Sequence, residues 1–111
     1  MAKLTLHVLD MLSGNSANQM AVEVICPNGK TKRVKTGLDG RVAKPILEDE
    51  AFPSGLYQMI FDLKDYYQSC GLSEDEFFMD RAIIEFKVLP NANYHLPLII
   101  TPWSYSVYRG S

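Results

Sequence analysis

Apolar and polar residues alternate along several short segments of the chain, as expected for β-strands that bury one face. Residues 4–9 give the first example: the even-numbered residues are apolar and predicted to face a core. The odd-numbered residues, His7 among them, are predicted to face the opposite side. Residues 82–88 alternate in the same way. Both segments therefore predict strands with one buried face.

Turn-forming residues separate further strand candidates. Pro27-Asn28-Gly29 lies between two extended segments and predicts a hairpin. Residues 10–18 and 37–40 are predicted as turns, and Pro102 marks a bend because proline cannot donate to a strand ladder. The predicted strands are residues 4–9, 21–26, 30–36, 41–46, 55–61, 82–88, 96–101 and 105–109, of which the short fourth strand is interrupted by Pro45.

One segment, residues 62–70, breaks the strand pattern. Asp62 is suited to cap a helix and Gly71 to end it. Four residues at i, i+3, i+4 and i+7 predict one buried face of a two-turn helix, namely Leu63, Tyr66, Tyr67 and Cys70.

About eight short strands and one short helix predict an all-β fold, an antiparallel sandwich of two sheets. The chain has 111 residues, so we expect one domain over residues 1–111. Its 47% hydrophobic and 22% charged residues are typical of a globular protein.

Charge and composition exclude several classes of partner. The formal net charge of −2 argues against nucleic-acid binding. The basic residues between Lys30 and Lys35 alternate with other residues and are interpreted as a solvated strand. No apolar segment is long enough for a membrane span or a signal core, so a cytoplasmic location is expected by elimination. Cys26 and Cys70 form no metal-type pair and are interpreted as free thiols, Cys26 as a small core residue.

Four segments carry a resemblance to a known family. The most specific is the last, with Tyr94-His95-Leu96-Pro97-Leu98, Thr101-Pro102 and a chain end of Tyr105-Ser106-Val107-Tyr108-Arg109-Gly110-Ser111. The others are Leu6-His7-Val8-Leu9-Asp10, Thr36-Gly37-Leu38-Asp39-Gly40-Arg41, and the stretch from Gly55 to Gly71 with Phe77-Phe78 after it. In this order they resemble the transthyretin-like family.

That family has a hydrolase branch and a hormone-carrier branch, which share a fold, so function depends on the site. His7 stands where the carrier branch has lysine, and the terminal Tyr108-Arg109-Gly110-Ser111 is absent from carriers. His95 and Arg41 also match hydrolase positions. The resemblance therefore implies hydrolysis of 5-hydroxyisourate to 2-oxo-4-hydroxy-4-carboxy-5-ureidoimidazoline, a step of urate degradation.

The resemblance also implies a set of site residues. His7 and His95 are candidates for proton transfer, because the histidine pKa lies near neutral pH. Arg41 offers a charged, planar fork of donors to a polar ring. Ser111 is expected to hydrogen-bond the attacking water or the substrate, and Tyr108 to line the pocket. Outside the motif, each residue type would normally be an ordinary surface or packing residue.

The resemblance further implies a homotetramer, a dimer of dimers, with active sites where the dimers meet. Because water is the nucleophile, no cofactor or metal is expected, and the sequence has no metal-ligand or phosphate-loop motif.

Three positions depart from the family pattern. Gly14-Asn15-Ser16-Ala17 stands where the family usually has Gly-x-Pro-Ala, Met79 where proline commonly follows the aromatic pair, and Thr101 where serine precedes proline. These departures are expected to affect loops and packing, not the polar residues. Two other interpretations stay open: a non-catalytic carrier of a small apolar ligand and a generic adhesion module.

Overall fold

A computed structural model describes residues 2–110, which form two β-sheets packed face to face and one short α-helix. The strands are β1 (Lys3–Asp10), β2 (Asn15–Ser16), β3 (Ala21–Ile25), β4 (Thr31–Lys35), β5 (Leu47–Glu48), β6 (Gly55–Asp62), β7 (Arg81–Val88), β8 (Tyr94–Ile100) and β9 (Tyr105–Val107). The helix α1 spans Leu63–Ser69, and 3₁₀ turns cover Asp49–Ala51 and Glu74–Glu76. The predicted all-β sandwich with one helix is confirmed.

Each sheet has a simple strand order. One runs β2-β1-β8-β9, with β5 also paired to β1, and the other runs β4-β3-β6-β7. All the pairs are antiparallel except β1 with β8, which run parallel. The first and eighth strands of the chain therefore lie side by side at the centre of one sheet.

The predicted alternation along β1 and β7 is confirmed. Leu4, Leu6 and Val8 are at most 1% exposed and face the other sheet, whereas the residues between them are partly exposed. In β7, Ala82, Ile84 and Val88 are likewise buried. The apolar core lies between the sheets, so the outer face of each sheet is left for other roles.

Asp62 caps the N-terminus of helix α1, and its side chain accepts a hydrogen bond of 3.0 Å from the Asp65 amide. Tyr66 and Tyr67 lie on its buried face as predicted. Cys70 does not, because it follows the helix end and is exposed, so that part of the prediction is wrong. Cys26 is partly buried against the core, and both cysteines are free thiols.

A buried carboxylate ties α1 to β1. Asp10, which is 2% exposed, accepts hydrogen bonds from the Tyr66 hydroxyl at 2.8 Å and the Tyr67 hydroxyl at 3.0 Å. The Leu12 amide also donates to it, at 3.0 Å. Burial, followed by these bonds to Asp10, raises the pKa of both tyrosines far above the usual range. Both phenols therefore stay protonated and donate their hydrogen bonds to the Asp10 side chain.

The predicted strand over residues 41–46 is wrong. Arg41 forms a single bridge to His7 of β1. The chain pairs with β1 again only at Ile46, whose amide donates to the Leu4 carbonyl, and in β5. Pro45 lacks an amide proton, so this stretch cannot sustain a ladder. Conversely, the short strand β2 forms inside a segment predicted as a turn.

The last strand is shorter than predicted, ending at Val107 and not at residue 109. Leu98 pairs with Val107, so the continued register places Pro97 opposite Tyr108. Proline has no amide proton to donate there. The Tyr108 amide still donates to the Pro97 carbonyl at 3.3 Å, and the next bond is from the Gly110 amide to the His95 carbonyl at 2.7 Å.

Within residues 2–110, no helix is both long and apolar enough to cross a membrane.

We predict that Tyr67→Phe lowers the free energy of unfolding by about 1.5–3 kcal/mol, because it removes a buried hydrogen bond to a charged acceptor. Urea unfolding measures this as a lower midpoint with an unchanged slope. The matched control is Tyr105→Phe, at an exposed tyrosine. Equal midpoints for the two variants would contradict a stabilising role for the Asp10 contact.

Candidate active site

His7, Arg41 and His95 lie together on the outer face of the sheet that contains β1 and β8. The parallel register places Thr5 opposite His95 and His7 opposite Pro97. Because side chains two residues apart share a face, His7 and His95 are diagonal neighbours on that face. The bridge between His7 and Arg41 adds the arginine beside them.

The turn before Arg41 crosses from β4 in one sheet to β1 in the other. It is closed by the Gly40 amide donating to the Gly37 carbonyl at 2.9 Å, and Arg41 is held through its amide by the Asp39 carboxylate at 3.0 Å. The Gly40 carbonyl accepts from the Val8 amide at 2.9 Å, which fixes the turn to β1. Arg41 therefore reaches the site from a loop and not from a strand.

His95 is held by Thr5. The Thr5 hydroxyl oxygen and His95 Nδ1 form a hydrogen bond of 2.8 Å. Burial lowers the pKa of His95 below its ordinary value of 6.5, and the charges of Arg41 and then His7 lower it further. His95 is therefore neutral near neutral pH, with its other ring nitrogen, Nε2, facing away from Thr5.

His7 has a different partner. Its Nε2 lies 3.3 Å from the hydroxyl oxygen of Ser16 in β2. This bond is longer than the one at His95 and engages the opposite ring nitrogen. Ser16 is one of the departures from the family pattern, so the expectation that these departures leave the polar residues untouched is wrong at this position.

Two glycines pack against the two imidazoles. Gly40 has a φ of +73°, and a Cβ built on it would lie 3.2 Å from His7 Cδ2 and would collide with the Val8 carbonyl oxygen. A Cβ built on Gly110 would lie 2.8 Å from His95 Cδ2. Both positions require the absence of a side chain for the backbone to approach the ring.

The other predicted site residues are Tyr108 and Ser111, which the structure does not place beside the two histidines and Arg41. Tyr108 is exposed and borders a groove at the edge of the sandwich together with Tyr94 and Arg109. The Arg109 guanidinium lies over the Tyr94 ring, 4.2 Å from its centroid, and donates to the Asn93 carbonyl at 3.1 Å. Ser111 lies outside the described residues, so its role stays a prediction.

Thr5, Ser16 and Gly40 are site residues that sequence reasoning did not single out. The alternation of β1 already places Thr5 on the same face as His7, which was a usable signal. The partner of Thr5 is 90 residues away, so only the fold reveals it. For residues 2–110, no group of three or more histidine, cysteine, aspartate or glutamate side chains is arranged to hold a metal ion.

We predict that Arg41→Gln raises the pKa of His95, because removing a neighbouring cation favours the protonated imidazole. An NMR pH titration resolves this, since the chain has only two histidines. Arg33→Gln is the control, at an exposed arginine on β4 paired with Glu23. A His95 pKa that does not move in Arg41→Gln would show that the guanidinium does not act on this ring.

Comparison with known proteins places the chain in a family. The family model described as HIUase/Transthyretin family matches residues 4–110. A protein from Ralstonia nicotianae named 5-hydroxyisourate hydrolase is 42% identical over 117 residues, covering 100% of both chains. The solved 5-hydroxyisourate hydrolase of Klebsiella pneumoniae is 29% identical with a TM-score of 0.84, covering 100% of this chain and 94% of that one. The transthyretin of Sparus aurata is 25% identical with a TM-score of 0.82, covering 97% and 96%. The chain therefore belongs to the HIUase/Transthyretin family.

Proposed function

We propose that this chain hydrolyses 5-hydroxyisourate to 2-oxo-4-hydroxy-4-carboxy-5-ureidoimidazoline. The observation that carries the proposal is the placement of His7, Arg41 and His95 on one sheet face. The relatives named 5-hydroxyisourate hydrolase support the choice of substrate. Water attack on a ring carbonyl needs a base, a cation for the developing negative charge, and shelter from bulk solvent.

His95 is the proposed general base. Its lowered pKa keeps the ring neutral at neutral pH, which is the form that accepts a proton. We assign the proton of the neutral ring to Nδ1, as a donor to the Thr5 hydroxyl 2.8 Å away, which leaves the lone pair on Nε2. In this scheme Nε2 takes one proton from water while the water oxygen bonds to the ring carbonyl carbon.

Arg41 is the proposed electrostatic partner of the reaction. As the carbonyl becomes a tetrahedral intermediate, negative charge develops on its oxygen, and a guanidinium donates hydrogen bonds to it without changing protonation. The intermediate collapses when the ring C–N bond breaks. The leaving nitrogen then takes the proton held on His95 Nε2, which restores the neutral imidazole.

His7 is the proposed second contact to the ring of the substrate, as a hydrogen-bond donor that orients it. Tyr108 is proposed to limit the pocket width, and Ser111 to hold the attacking water or the substrate. The scheme uses water as the nucleophile and assigns no step to a metal or cofactor. Free thiols at Cys26 and Cys70 are consistent with a reducing compartment, so we place the reaction in the cytoplasm.

We also propose a homotetramer, a dimer of dimers, in which a second copy covers the outer face of this sheet. His7 and His95 are only partly buried in the single chain, and Arg41 is exposed. The same face carries Leu9 and Ile99, apolar residues that a partner would cover. Active sites where two dimers meet would exclude water as the chemistry requires.

We predict that light scattering at micromolar concentration gives the mass of four chains. Leu9→Glu should lower this mass, because it puts a charge on the proposed contact face without touching the core. Lys87→Glu, at an exposed position of the other sheet, is the control. A monomer in the unmodified protein would contradict the assembly.

A carrier of a small ligand is the rival function, because the fold is shared with a transthyretin. The polarity of the site distinguishes the carrier from the hydrolase. A guanidinium and two imidazoles suit a polar heterocycle, whereas an apolar ligand would bury them without partners.

The test of the function is a stopped-flow absorbance assay in which urate oxidase generates 5-hydroxyisourate and this protein is added. We predict decay of that compound faster than its spontaneous rate, including after treatment of the protein with a chelator. Decay at the spontaneous rate would contradict the proposed hydrolysis or its independence from metal.

His95→Ala is predicted to reduce turnover about 10²-fold or more, as loss of acid–base assistance typically does. His7→Ala is predicted to reduce turnover about 10²-fold or more as well, because the contact that orients the substrate is lost. Melting temperatures should stay close to that of the unmodified protein, because both side chains lie outside the core. Unchanged turnover in either variant would remove that histidine from the mechanism.

A further inference from the structure

Ser16 occupies a defined position beside His7. It pairs with Leu9 across the β1–β2 ladder, and its side chain therefore shares the outer face with Leu9 and His7. The neighbouring Ala17 amide donates to the Val8 carbonyl at 2.9 Å, which anchors β2 one residue away. The serine hydroxyl is thus presented to the imidazole by paired backbone, not by a free loop.

Ser16 and Gly40 lie against the same edge of the His7 ring. Ser16 approaches Nε2 at 3.3 Å, and the Gly40 backbone packs near the adjacent Cδ2. A Cβ built on Gly40 would also lie 2.9 Å from Ser16 Cβ, so the glycine, the serine and the ring edge pack closely together. The edge that carries Nδ1 is therefore turned away from Ser16.

We propose that Ser16 is a positioning residue for His7: its hydroxyl donates to Nε2 and thereby holds the proton of the neutral ring on Nδ1. A neutral imidazole carries one N–H, so the nitrogen that accepts from Ser16 leaves the other as a donor. The proton positions then differ between the two histidines. His95 offers a lone pair on Nε2, and His7 offers an N–H from Nδ1.

The residue type at position 16 matters for this role. The Ala17–Val8 bond makes Ser16 and Leu9 a non-hydrogen-bonded pair, so the Ser16 amide is not used by this ladder. Proline, the usual residue of the family motif at this position, would cost this ladder no hydrogen bond but has no hydroxyl for Nε2. Ser16 therefore gives His7 of this chain a contact that a proline cannot provide.

The experiment is two-bond ¹H–¹⁵N NMR of the histidine rings in the unmodified full-length protein, at roughly pH 8.5, where imidazoles are neutral. We expect His7 to carry its proton on Nδ1. In Ser16→Ala and Ser16→Pro we expect the proton to shift towards Nε2, the form that free neutral histidine prefers, and Ser16→Thr should restore the original pattern. The His95 signals should not change in any of these variants.

Ser13→Ala is the matched control, because it removes another hydroxyl from the same turn that contacts only the backbone of Asp10 and Asn15. It should leave the His7 tautomer unchanged. A proton on Nε2 in the unmodified protein, an unchanged His7 in Ser16→Ala, or an equal shift in Ser13→Ala would each overturn the proposal.

The catalytic consequence rests on the proposed function. Loss of one neutral hydrogen bond should reduce kcat for 5-hydroxyisourate about 3- to 10-fold in Ser16→Ala, with recovery in Ser16→Thr. Because the NMR experiment needs no substrate, failure of the proposed hydrolysis can be distinguished from failure of the proposed role of Ser16. An inactive protein with the expected tautomers would overturn the hydrolysis alone, and an active protein with unaltered His7 signals in Ser16→Ala would overturn the role of Ser16 alone.

Discussion

The parallel pairing of β1 with β8 is the constraint on which the site depends. It joins residues about 90 positions apart and sets Thr5 opposite His95 and His7 opposite Pro97. A slip of one residue would turn one strand's outer side chains towards the core, because the side-chain period of a strand is two. The buried partners Leu4, Leu6 and Val8 prevent that slip, since each is at most 1% exposed. The apolar core thus fixes the register, and the register places the two imidazoles on one face.

The remaining parts of the site come from irregular backbone attached to that frame. Arg41 follows a turn that crosses between the sheets, and Gly110 follows the point where the β8–β9 ladder lacks one bond because Pro97 has no amide proton. Both segments bring backbone against an imidazole ring, at Gly40 and Gly110, where a Cβ would lie too close to other atoms. A regular strand with side chains at these positions could not approach so closely. The breaks in the ladder therefore serve the site, although they lower the regularity of the sheet.

Much of the fold could be predicted from the local pattern of apolar and turn residues, whereas the candidate site was predicted from the family motifs. The alternation around His7 predicted which side chains of β1 are buried, and the Asn28-Gly29 turn predicted the β3–β4 hairpin. Pairing between distant strands has no such local signal, so the parallel β1–β8 contact and the hydrogen bond between Thr5 and His95 were not predicted. The segment after Arg41 was predicted as a strand although Pro45 argued against it. The motifs predicted His7, Arg41 and His95 as site residues, but not the hydroxyls that contact the two rings.

Gathering two imidazoles and a guanidinium on one face has an electrostatic consequence. If both imidazoles were protonated, their charges and that of the guanidinium would repel one another. Partial burial would weaken the solvation that offsets this repulsion. The protein avoids this at His95, because burial and the Arg41 and His7 charges all lower its pKa below 6.5. The ring that results is neutral at neutral pH and sits beside a permanent cation. A neutral base next to a fixed positive charge is the arrangement that water attack on a carbonyl requires, since the base accepts a proton while the cation stabilises the oxyanion. The crowding that makes the protonated histidine unfavourable is therefore also what the proposed hydrolysis needs.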